Sequence, residues 1–241
     1  MIRKVLSMKP TKQRAIKTEE QIAECVEARQ RLLVAAEKLF AERGFASVCV
    51  RDLITEAKVN IAAVNYYFGS KENLYLETLR YSFRNSRQAL PKLEALLKEA
   101  RAVGTKEAAQ AGIRRYVEEL MNIIFISGET SCHTDLMGHE MSNPTAALDI
   151  VVEEFISPIF KILVALVEQL RPDLAEAKEA NLAAMSILGQ CLNYSLALPI
   201  TLKLLKKSRM TSAFVKKLSK QISDFSLTAL TIPQLTTIEK T

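Results

Sequence analysis

The sequence predicts an all-α protein, in which a compact unit of short helices precedes a larger helical domain. Glycine and proline are both scarce, at 7 residues each among 241, and 49% of the residues are hydrophobic. Prominent Ala, Leu, Lys and Glu favour helix over strand. Apolar side chains also recur at intervals of three and four residues along most of the chain, which is the period of an amphipathic helix.

The basic charge of the chain is confined to its N-terminal part. Residues 1–90 hold 16 Lys and Arg side chains against 10 Asp and Glu, whereas residues 91–241 hold 17 of each. A basic domain joined to a neutral one is typical of a protein in which the first domain binds a polyanion and the second has another role. The alternative interpretation of the same excess is an ordinary solvated surface.

The first helix follows a basic segment. Residues 1–17 carry six basic side chains without hydrophobic periodicity, so we expect a mobile arm that either contacts phosphates or has no role. Thr18 to Gln21 has capping-box spacing. The helix that follows is predicted to run to about Arg43, where Gly44 supplies a stop.

Three short elements complete the N-terminal unit, and their order is that of a compact bundle. Their predicted spans are Val50–Lys58 with Cys49 at the N-cap, Ile61–Phe68 between the cap Asn60 and Gly69, and Ser70 to about Leu90.

Longer amphipathic helices are predicted beyond Pro91, with glycine and proline at their ends. Their spans are about Lys92–Ala102, Lys106–Ser127, His133–Ser142, Pro144–Leu170 with a kink at Pro158, Pro172 to about Lys207 with a kink at Pro199, and Ser212–Asp224.

The four cysteines are scattered singly, which indicates neither a zinc site nor a disulfide framework and fits a reducing compartment. No apolar run approaches the roughly 18 residues of a membrane span, and no signal sequence follows Met1. We therefore expect a soluble, cytoplasmic protein without a cofactor, a resident metal or a membrane partner.

The stretch 49–68 has the layout of a helix-turn-helix, and its side chains suit a DNA major groove. The methyl groups of Ala62 and Ala63 would let the backbone approach base edges closely and meet thymine methyls. Asn65 offers a hydrogen-bond donor and acceptor to one base. The hydroxyls of Tyr66 and Tyr67 are long enough to reach phosphates, although either ring could instead belong to the core.

Two cations flank this stretch. Lys71 stands at a predicted helix N-terminus, where a cationic head and free N–H groups would clamp a phosphate, and Arg51 is a second candidate. Val64 and Phe68 are expected to face the core. The alternative is an ordinary helical corner with exposed tyrosines.

These residues resemble the DNA-binding domain of the TetR family of regulators over about residues 26–86 without gaps. The residues that carry the resemblance are Ala35, Ala36, Leu39, Phe40, Gly44, Phe45, Val50–Ile54, Asn60, Ala62, Ala63, Tyr66–Lys71 and Leu74. The form of residues 60–66 is similar to a CecR-like subgroup, whose members are associated with transport and drug-export genes. Cys49 departs from the usual Ser or Thr, and Tyr67 from the His of many relatives.

The resemblance implies a DNA-binding transcriptional regulator that is not an enzyme, and a repressor released by a small-molecule effector. The implied DNA-contacting residues are Val50, Arg51, Asn60, Ile61, Ala62, Ala63, Asn65, Tyr66, Tyr67 and Lys71. The implied organisation is an arm and helix start over 1–25, a DNA-binding domain over 26–86 and an effector-binding and dimerisation domain over 91–230.

The resemblance also implies a homodimer on a palindromic operator, with two recognition helices roughly 34–36 Å apart. Pairing of 144–170 and 174–199 with their copies would use an apolar seam of Ile150, Val151, Phe155, Leu163, Val167, Ala183, Ala184 and Leu188. The alternative is that these side chains line the core of the monomer.

An effector pocket is implied within the C-terminal helices. The candidate lining residues, each of which could equally be core, are Tyr116, Leu120, Ile124, His133, Met137, Glu140 and Tyr194. Methionine among apolar side chains and a few polar groups suits a hydrophobic or mixed-character ligand.

Three other functions deserve comparison. An enzyme would have to use Cys132–His133 or His139–Glu140, whose spacing matches no metalloprotease or cysteine-protease pattern. A metal-responsive regulator would bind through Cys132, His133 and His139. A helical protein-interaction module would bind its partner with little dependence on salt, whereas phosphate contacts weaken steeply as salt rises.

Overall fold

The computed structural model describes residues 19–126 and 130–232, without the side chains of residues 19–23, 85, 86, 130 and 131. Every regular element in these ranges is helical, which confirms the all-α class. The helices are α1 (Glu19–Ser47), α2 (Val50–Ala57), α3 (Ala63–Phe68), α4 (Lys71–Ser82), α5 (Arg84–Val103), α6 (Lys106–Phe125), α7 (Thr130–Ser142), α8 (Ala147–Val151), α9 (Ser157–Leu170), α10 (Pro172–Glu176), α11 (Ala180–Leu196), α12 (Leu198–Leu204) and α13 (Ser212–Thr231). The arm predicted over residues 1–17 lies outside the described residues.

Helices α1 to α4 form the predicted N-terminal bundle. Leu32, Phe40, Leu53 and Leu74 are fully buried at its centre because each lies on the apolar stripe of its helix. Gly44 interrupts α1 with a φ of 74°, a left-handed conformation that favours glycine. The predicted end near residue 43 marks this break, although helical structure extends to residue 47.

The third helix begins two residues later than predicted. The N–H of Ala62 donates to Asn60 Oδ1 at 3.0 Å, so Asn60 stabilises the turn that leads into α3 and does not cap the helix itself. Val64 and Phe68 are buried, as predicted. The short α3 is therefore held from one side by two core side chains.

The fourth helix ends about eight residues earlier than predicted, at Ser82 instead of near Leu90. It breaks at Phe83, and Pro91 lies inside α5 instead of before it. The Phe83 ring packs against His133 and Phe155, with ring centroids 4.1 and 5.1 Å away. The chain therefore turns where this ring is buried. Pro91 lies on the exposed side of α5. Proline has no N–H to donate to the carbonyl four residues earlier, and water can solvate that carbonyl instead.

Helix α9 lies at the centre of the C-terminal helices and packs against α5, α6 and α11. This position corrects the predicted dimer seam. Most of the seam residues are buried within the single chain, namely Val151, Phe155, Leu163, Val167, Ala184 and Leu188. Ile150 and Ala183 are half-buried. For the six buried residues the predicted seam is wrong, and the alternative is correct: they line the core of the monomer.

The two longest predicted helices are each broken near a proline. A π-helical turn, Val152–Ile156, joins α8 to α9 just before Pro158, where the N–H of Ser157 bonds to the carbonyl of Val152. An angle of 83° separates α11 from α12 next to Pro199. Within the described residues no single helix is long and apolar enough to cross a membrane. Only when α11 and α12 are taken together, across their bend, do their length and composition reach those of a membrane span.

The N-terminal bundle and the C-terminal helices share buried surface. Leu136 of α7, Val151 of α8 and Phe155 join the hydrophobic cluster of α1–α4. His139 Nε2 lies 3.0 Å from the carbonyl oxygen of Ala41 at the end of α1. Helix α7 therefore contacts both parts of the molecule.

Candidate nucleic-acid interface and cavity

The N-terminal bundle exposes one side of the turn and helix around α3. We call this surface, made of Asn60, Ile61, Ala62, Asn65 and Tyr66, the α3 face. All five side chains are exposed, with exposed fractions of 71% for Ile61 and 63% for Tyr66. Exposed apolar and amide groups on a short helix that is braced from behind are available to contact base edges.

Three other predicted residues are placed differently. Ala63 is only 7% exposed and packs in the bundle core, so the expectation that its methyl group faces DNA is wrong. Val50 and Tyr67 are half-buried against the same core. The Tyr67 ring lies edge-on to Tyr66, with centroids 4.9 Å apart, while Arg51 is exposed on α2.

Lys71 has a structural partner at the start of α4. Its ammonium donates to the Phe45 carbonyl at 2.7 Å and lies 4.2 Å from the centroid of the Phe45 ring. Both contacts hold the chain after Gly44 against α4. An ammonium has three donors, so this bond leaves capacity for an anion.

The two acidic side chains of α2 each have a local hydrogen-bond partner. Hydrogen bonds from Cys49 lower the pKa of Asp52, whose Oδ2 accepts the Cys49 N–H at 2.9 Å. The Glu56 carboxylate accepts a hydrogen bond from Lys38 at 2.7 Å, which lowers its pKa. Both carboxylates stay ionised. The N–H of Cys49 and the ammonium of Lys38 partly offset their negative charge, which reduces their repulsion of a polyanion.

A cavity of about 200 Å³ lies among α4, α6, α7, α9 and α11. Five predicted pocket residues line it: Tyr116, Leu120 and Ile124 from α6, and His133 and Met137 from α7. Burial lowers the pKa of His133, against a smaller opposing effect of the Ser82 carbonyl, so this imidazole is neutral near pH 7.

Glu140 and Tyr194 lie outside the cavity lining. Glu140 is only 1% exposed, and its carboxylate accepts hydrogen bonds from the Tyr75 hydroxyl at 2.6 Å and from the Thr145 N–H at 3.0 Å. It therefore joins α4, α7 and the start of α8. Tyr194 is half-buried against the C-terminal core.

Sequence reasoning missed several side chains that line the cavity. Ser82 and Phe83 end α4, and Thr134 and Ser195 form a hydrogen-bonded pair, 3.3 Å apart, between α7 and α11. Phe83 falls within the fourth predicted helix, and no sequence signal distinguished a core residue from a cavity wall.

The residues of the metal alternative do not converge. His133 packs on Phe83, whereas His139, nearly two turns further along α7, lies against the Ala41 carbonyl of α1. Among the described residues no group of three or more His, Cys, Asp or Glu side chains is arranged to hold a metal ion.

Comparison with known proteins matches both parts of the chain. Residues 32–78 match "Bacterial regulatory proteins, tetR family", and residues 109–230 match "HTH-type transcriptional dual regulator CecR, C-terminal domain". The chain belongs to the TetR family of transcriptional regulators. It is therefore a DNA-binding regulator, and the α3 face lies on its helix-turn-helix.

Curated relatives agree with this family. The chain is 30% identical to the dual regulator CecR of Shigella flexneri over 148 residues, which are 58% of this chain and 63% of CecR. It is 38% identical to the transcriptional repressor NicS of Pseudomonas putida over 65 residues, 27% of this chain and 31% of NicS. The matches thus span less than two thirds of these relatives.

Solved structures share the fold of this TetR-family regulator. The hemolysin II regulator HlyIIR aligns with a TM-score of 0.55 at 21% identity, covering 83% of this chain and 99% of that one. A TetR-like regulator from Rhodococcus sp. RHA1 aligns with a TM-score of 0.56 at 15% identity, covering 83% and 96%.

Proposed function

We propose that this TetR-family regulator represses transcription as a homodimer and leaves its operator when a small molecule fills the cavity. The observation that carries the proposal is the position of the cavity. Ser82 and Phe83, at the end of α4, form part of its wall, and α3 packs against α4. A ligand that moves the end of α4 would also move the α3 face, which is how a cavity controls DNA binding.

Contact with DNA is assigned to the α3 face and its neighbours. Asn65 and Ala62 read bases, since both are exposed on the first turns around α3. Tyr66, Arg51 and Lys71 bind phosphates, because long polar side chains at the edge of a recognition helix position it on the backbone. Val50, Tyr67 and Ala63 support α3 from the core side.

Dimerisation is assigned to an exposed apolar stripe on α11. The stripe consists of Leu182, Met185, Gly189, Leu192 and Leu196, at spacings of three and four residues, and its last two leucines also line the mouth of the cavity. Such spacing forms the seam of paired helices. A Cβ at Gly189 would meet nothing within 4 Å, so a partner helix has room to approach there.

The CecR-like resemblance supports the assignment to transport or drug-export genes, and the name of the relative NicS, a transcriptional repressor, supports repression. The test begins with selection of genomic fragments by the purified protein at about 150 mM salt, where specific binding exceeds non-specific binding. Transcription from a retained promoter is then measured with bacterial RNA polymerase. Added protein is expected to reduce the transcript, and an increase would instead assign activation.

A further inference from the structure

The charge of the C-terminal helices is divided between two regions. Residues 180–223 hold seven Lys and Arg side chains and no Asp or Glu, whereas the rest of residues 91–241 holds 10 basic and 17 acidic side chains. The formal neutrality of residues 91–241 therefore conceals a strongly basic segment within an otherwise acidic domain. A surface of one sign attracts ions of the other sign, while an ordinary solvated surface mixes both signs.

The basic side chains of this segment form one exposed surface, which we call the basic patch. They come from α12, from the loop after it and from the first turns of α13, namely Lys203, Lys206, Lys207, Arg209, Lys216 and Lys217. The Lys207 ammonium lies 5.3 Å from the centroid of the Phe214 ring, which holds the loop against α13. Within the part of the chain that the structure describes, none of the six cations pairs with a carboxylate. Lys220 does pair with Asp224 and is left out of the patch.

Helix α13 places the basic patch at one end of the C-terminal domain. The last turn of α13 bonds to the residue after α9, since Arg171 donates to the Leu230 carbonyl at 2.7 Å. Helix α13 has 20 residues and is about 30 Å long. Its first turns, with Lys216 and Lys217, therefore lie at the opposite end of the domain.

This opposite end is the one that joins the DNA-binding unit. The Ser195 hydroxyl, in the last turn of α11 just before α12, lies 3.3 Å from the hydroxyl of Thr134 on α7. Helix α7 in turn packs against α1, where His139 Nε2 reaches the Ala41 carbonyl. The basic patch thus lies on the same side of the C-terminal domain as the DNA-binding unit.

The chemistry of the patch suits the DNA backbone. Five of its six cations are lysines, which bind phosphate as compact point charges and do not read sequence. Exposed Ile200 and Leu204 on α12 would also suit an anionic membrane surface. DNA is favoured over a membrane because the N-terminal bundle at this same end belongs to a DNA-binding regulator.

We propose that the basic patch binds phosphates of the operator between its two half-sites. In the proposed dimer the α11 stripe ends at Leu196, two residues before α12 begins, so the patches of the two copies lie next to the seam on one side of the dimer. The position between the half-sites rests on the proposed dimer. The phosphate contact itself rests only on the patch and on DNA binding by the family.

The test compares two triple variants of the full chain that lose the same charge. The patch variant combines three substitutions: Lys203→Gln, Lys206→Gln and Lys207→Gln. The control removes three exposed cations from the far end of the domain: Lys98→Gln, Arg101→Gln and Lys106→Gln. That end is marked by the bond from Gln169 of α9 to the Thr105 carbonyl, at 3.1 Å. An effect of overall charge appears in both variants, whereas a phosphate contact appears in the patch variant alone.

Affinity for a selected genomic fragment is measured by fluorescence anisotropy between about 50 and about 200 mM salt. Each phosphate contact adds about 0.9 to the slope of log affinity against log salt. The patch variant should bind at least about tenfold more weakly than wild type at about 100 mM salt, with a slope smaller by about 2 or more, and the loss should be alike for all sequences. The control should bind as wild type. Equal losses in the two variants, or no loss in either, would overturn the proposal.

Hydroxyl-radical footprinting locates the contact. Wild type should protect the backbone between the half-sites, and the patch variant should lose that protection while it keeps both half-sites. Two protected half-sites around an unprotected centre would contradict this proposal alone. A single protected site would refute the proposed dimer and with it the central position, while the salt comparison still decides the phosphate contact. Binding of wild type, but not of the patch variant, to phosphatidylglycerol vesicles, with equal DNA binding by both, would assign the patch to a membrane instead.

Discussion

At the scale of single residues, exposed side chains of the helix-turn-helix can contact DNA, whereas buried ones hold its helices in place. Asn65 points away from the core, whereas its neighbour Val64 is buried beneath it. An amide can offer a donor and an acceptor to one base edge at once. Asn65 is therefore the strongest candidate for direct readout.

Replacing Asn65 with Ala is expected to relax sequence preference at one base position in each half-site. The loss there should be about 1–3 kcal/mol, because a bidentate base contact disappears while phosphate contacts remain. Affinities for an operator and its single-base variants, measured by fluorescence anisotropy at fixed salt, test this. Asn181→Ala, an exposed asparagine on α11, is the matched control. An unchanged preference in the Asn65 variant would remove the direct-readout assignment.

Cys191 gives a pH prediction at the same scale. Burial raises the pKa of its thiol to about 12, whereas an unfolded thiol titrates near about 8.5. The native state thus keeps a proton that the unfolded state releases, so this stability is fully present below about pH 8.5 and is lost as pH rises toward 12. The free energy of unfolding should fall by at most about 1.4 kcal/mol per pH unit for this group.

Denaturant unfolding between about pH 8.5 and pH 10 follows this effect, and the Cys132 thiol, whose pKa burial also raises, adds to the same fall. Cys191→Ala should therefore make the fall with pH shallower. Cys49→Ala, at an exposed cysteine, should leave it unchanged. Parallel curves for wild type and Cys191→Ala would show that the thiol is not the source.

At the scale of elements, the structure distinguishes α9 from α11, to which periodicity alone assigns the same role in the dimer seam. Both have apolar stripes, but α9 is surrounded by α5, α6 and α11, whereas α11 leaves one stripe uncovered. Leu182 is 70% exposed on that stripe, and Phe225 is 64% exposed on α13. Uncovered apolar side chains at heptad-like spacing are typical of a helical interface.

Replacing Leu182 with Glu places a charge on this stripe and is expected to shift the protein from dimer to monomer. The weakening should be at least about tenfold in the dissociation constant, since a buried charge without a partner is costly. Sedimentation equilibrium measures it. Leu204→Glu changes an equally apolar exposed residue on α12 and should sediment as wild type. Monomerisation of both variants, or of neither, would argue against the α11 seam.

At the scale of the whole molecule, the N-terminal bundle and the C-terminal helices meet around α7. His139 contacts the end of α1, and Glu140 bonds to Tyr75 of α4. Residues of α7 also line the cavity. One helix therefore touches the cavity and both long helices of the DNA-binding unit, which supports a coupling between ligand and DNA.

Much of this fold could be predicted from sequence, and the reasons for the exceptions are physical. The helical class and the burial of Val64 and Phe68 followed from periodicity, whereas capping signals placed the start of α3 two residues too early. The break at Phe83 did not, because a tertiary contact of its ring with α7 overrides the local signal of Pro91. For the same reason, periodicity could not tell the buried stripe of α9 from the uncovered stripe of α11.

The candidate site could be predicted only in part. Five of seven pocket residues line the cavity, since they share inward faces of α6 and α7. Glu140 was misplaced because its partners, Tyr75 and Thr145, come from elements that sequence spacing does not bring together. Ser82 was missed because nothing in a sequence marks which serine will border a cavity.

The central claim is that a dimer of this chain places two α3 faces on successive major grooves. Footprinting on a selected genomic fragment, with wild type and Leu182→Glu compared at equal concentration, tests it most directly. We expect wild type to protect two inverted half-sites with centres about one helical turn apart, roughly 34–36 Å, and Leu182→Glu to lose the joint protection. A single asymmetric protected site, or identical footprints for the two proteins, would contradict the claim.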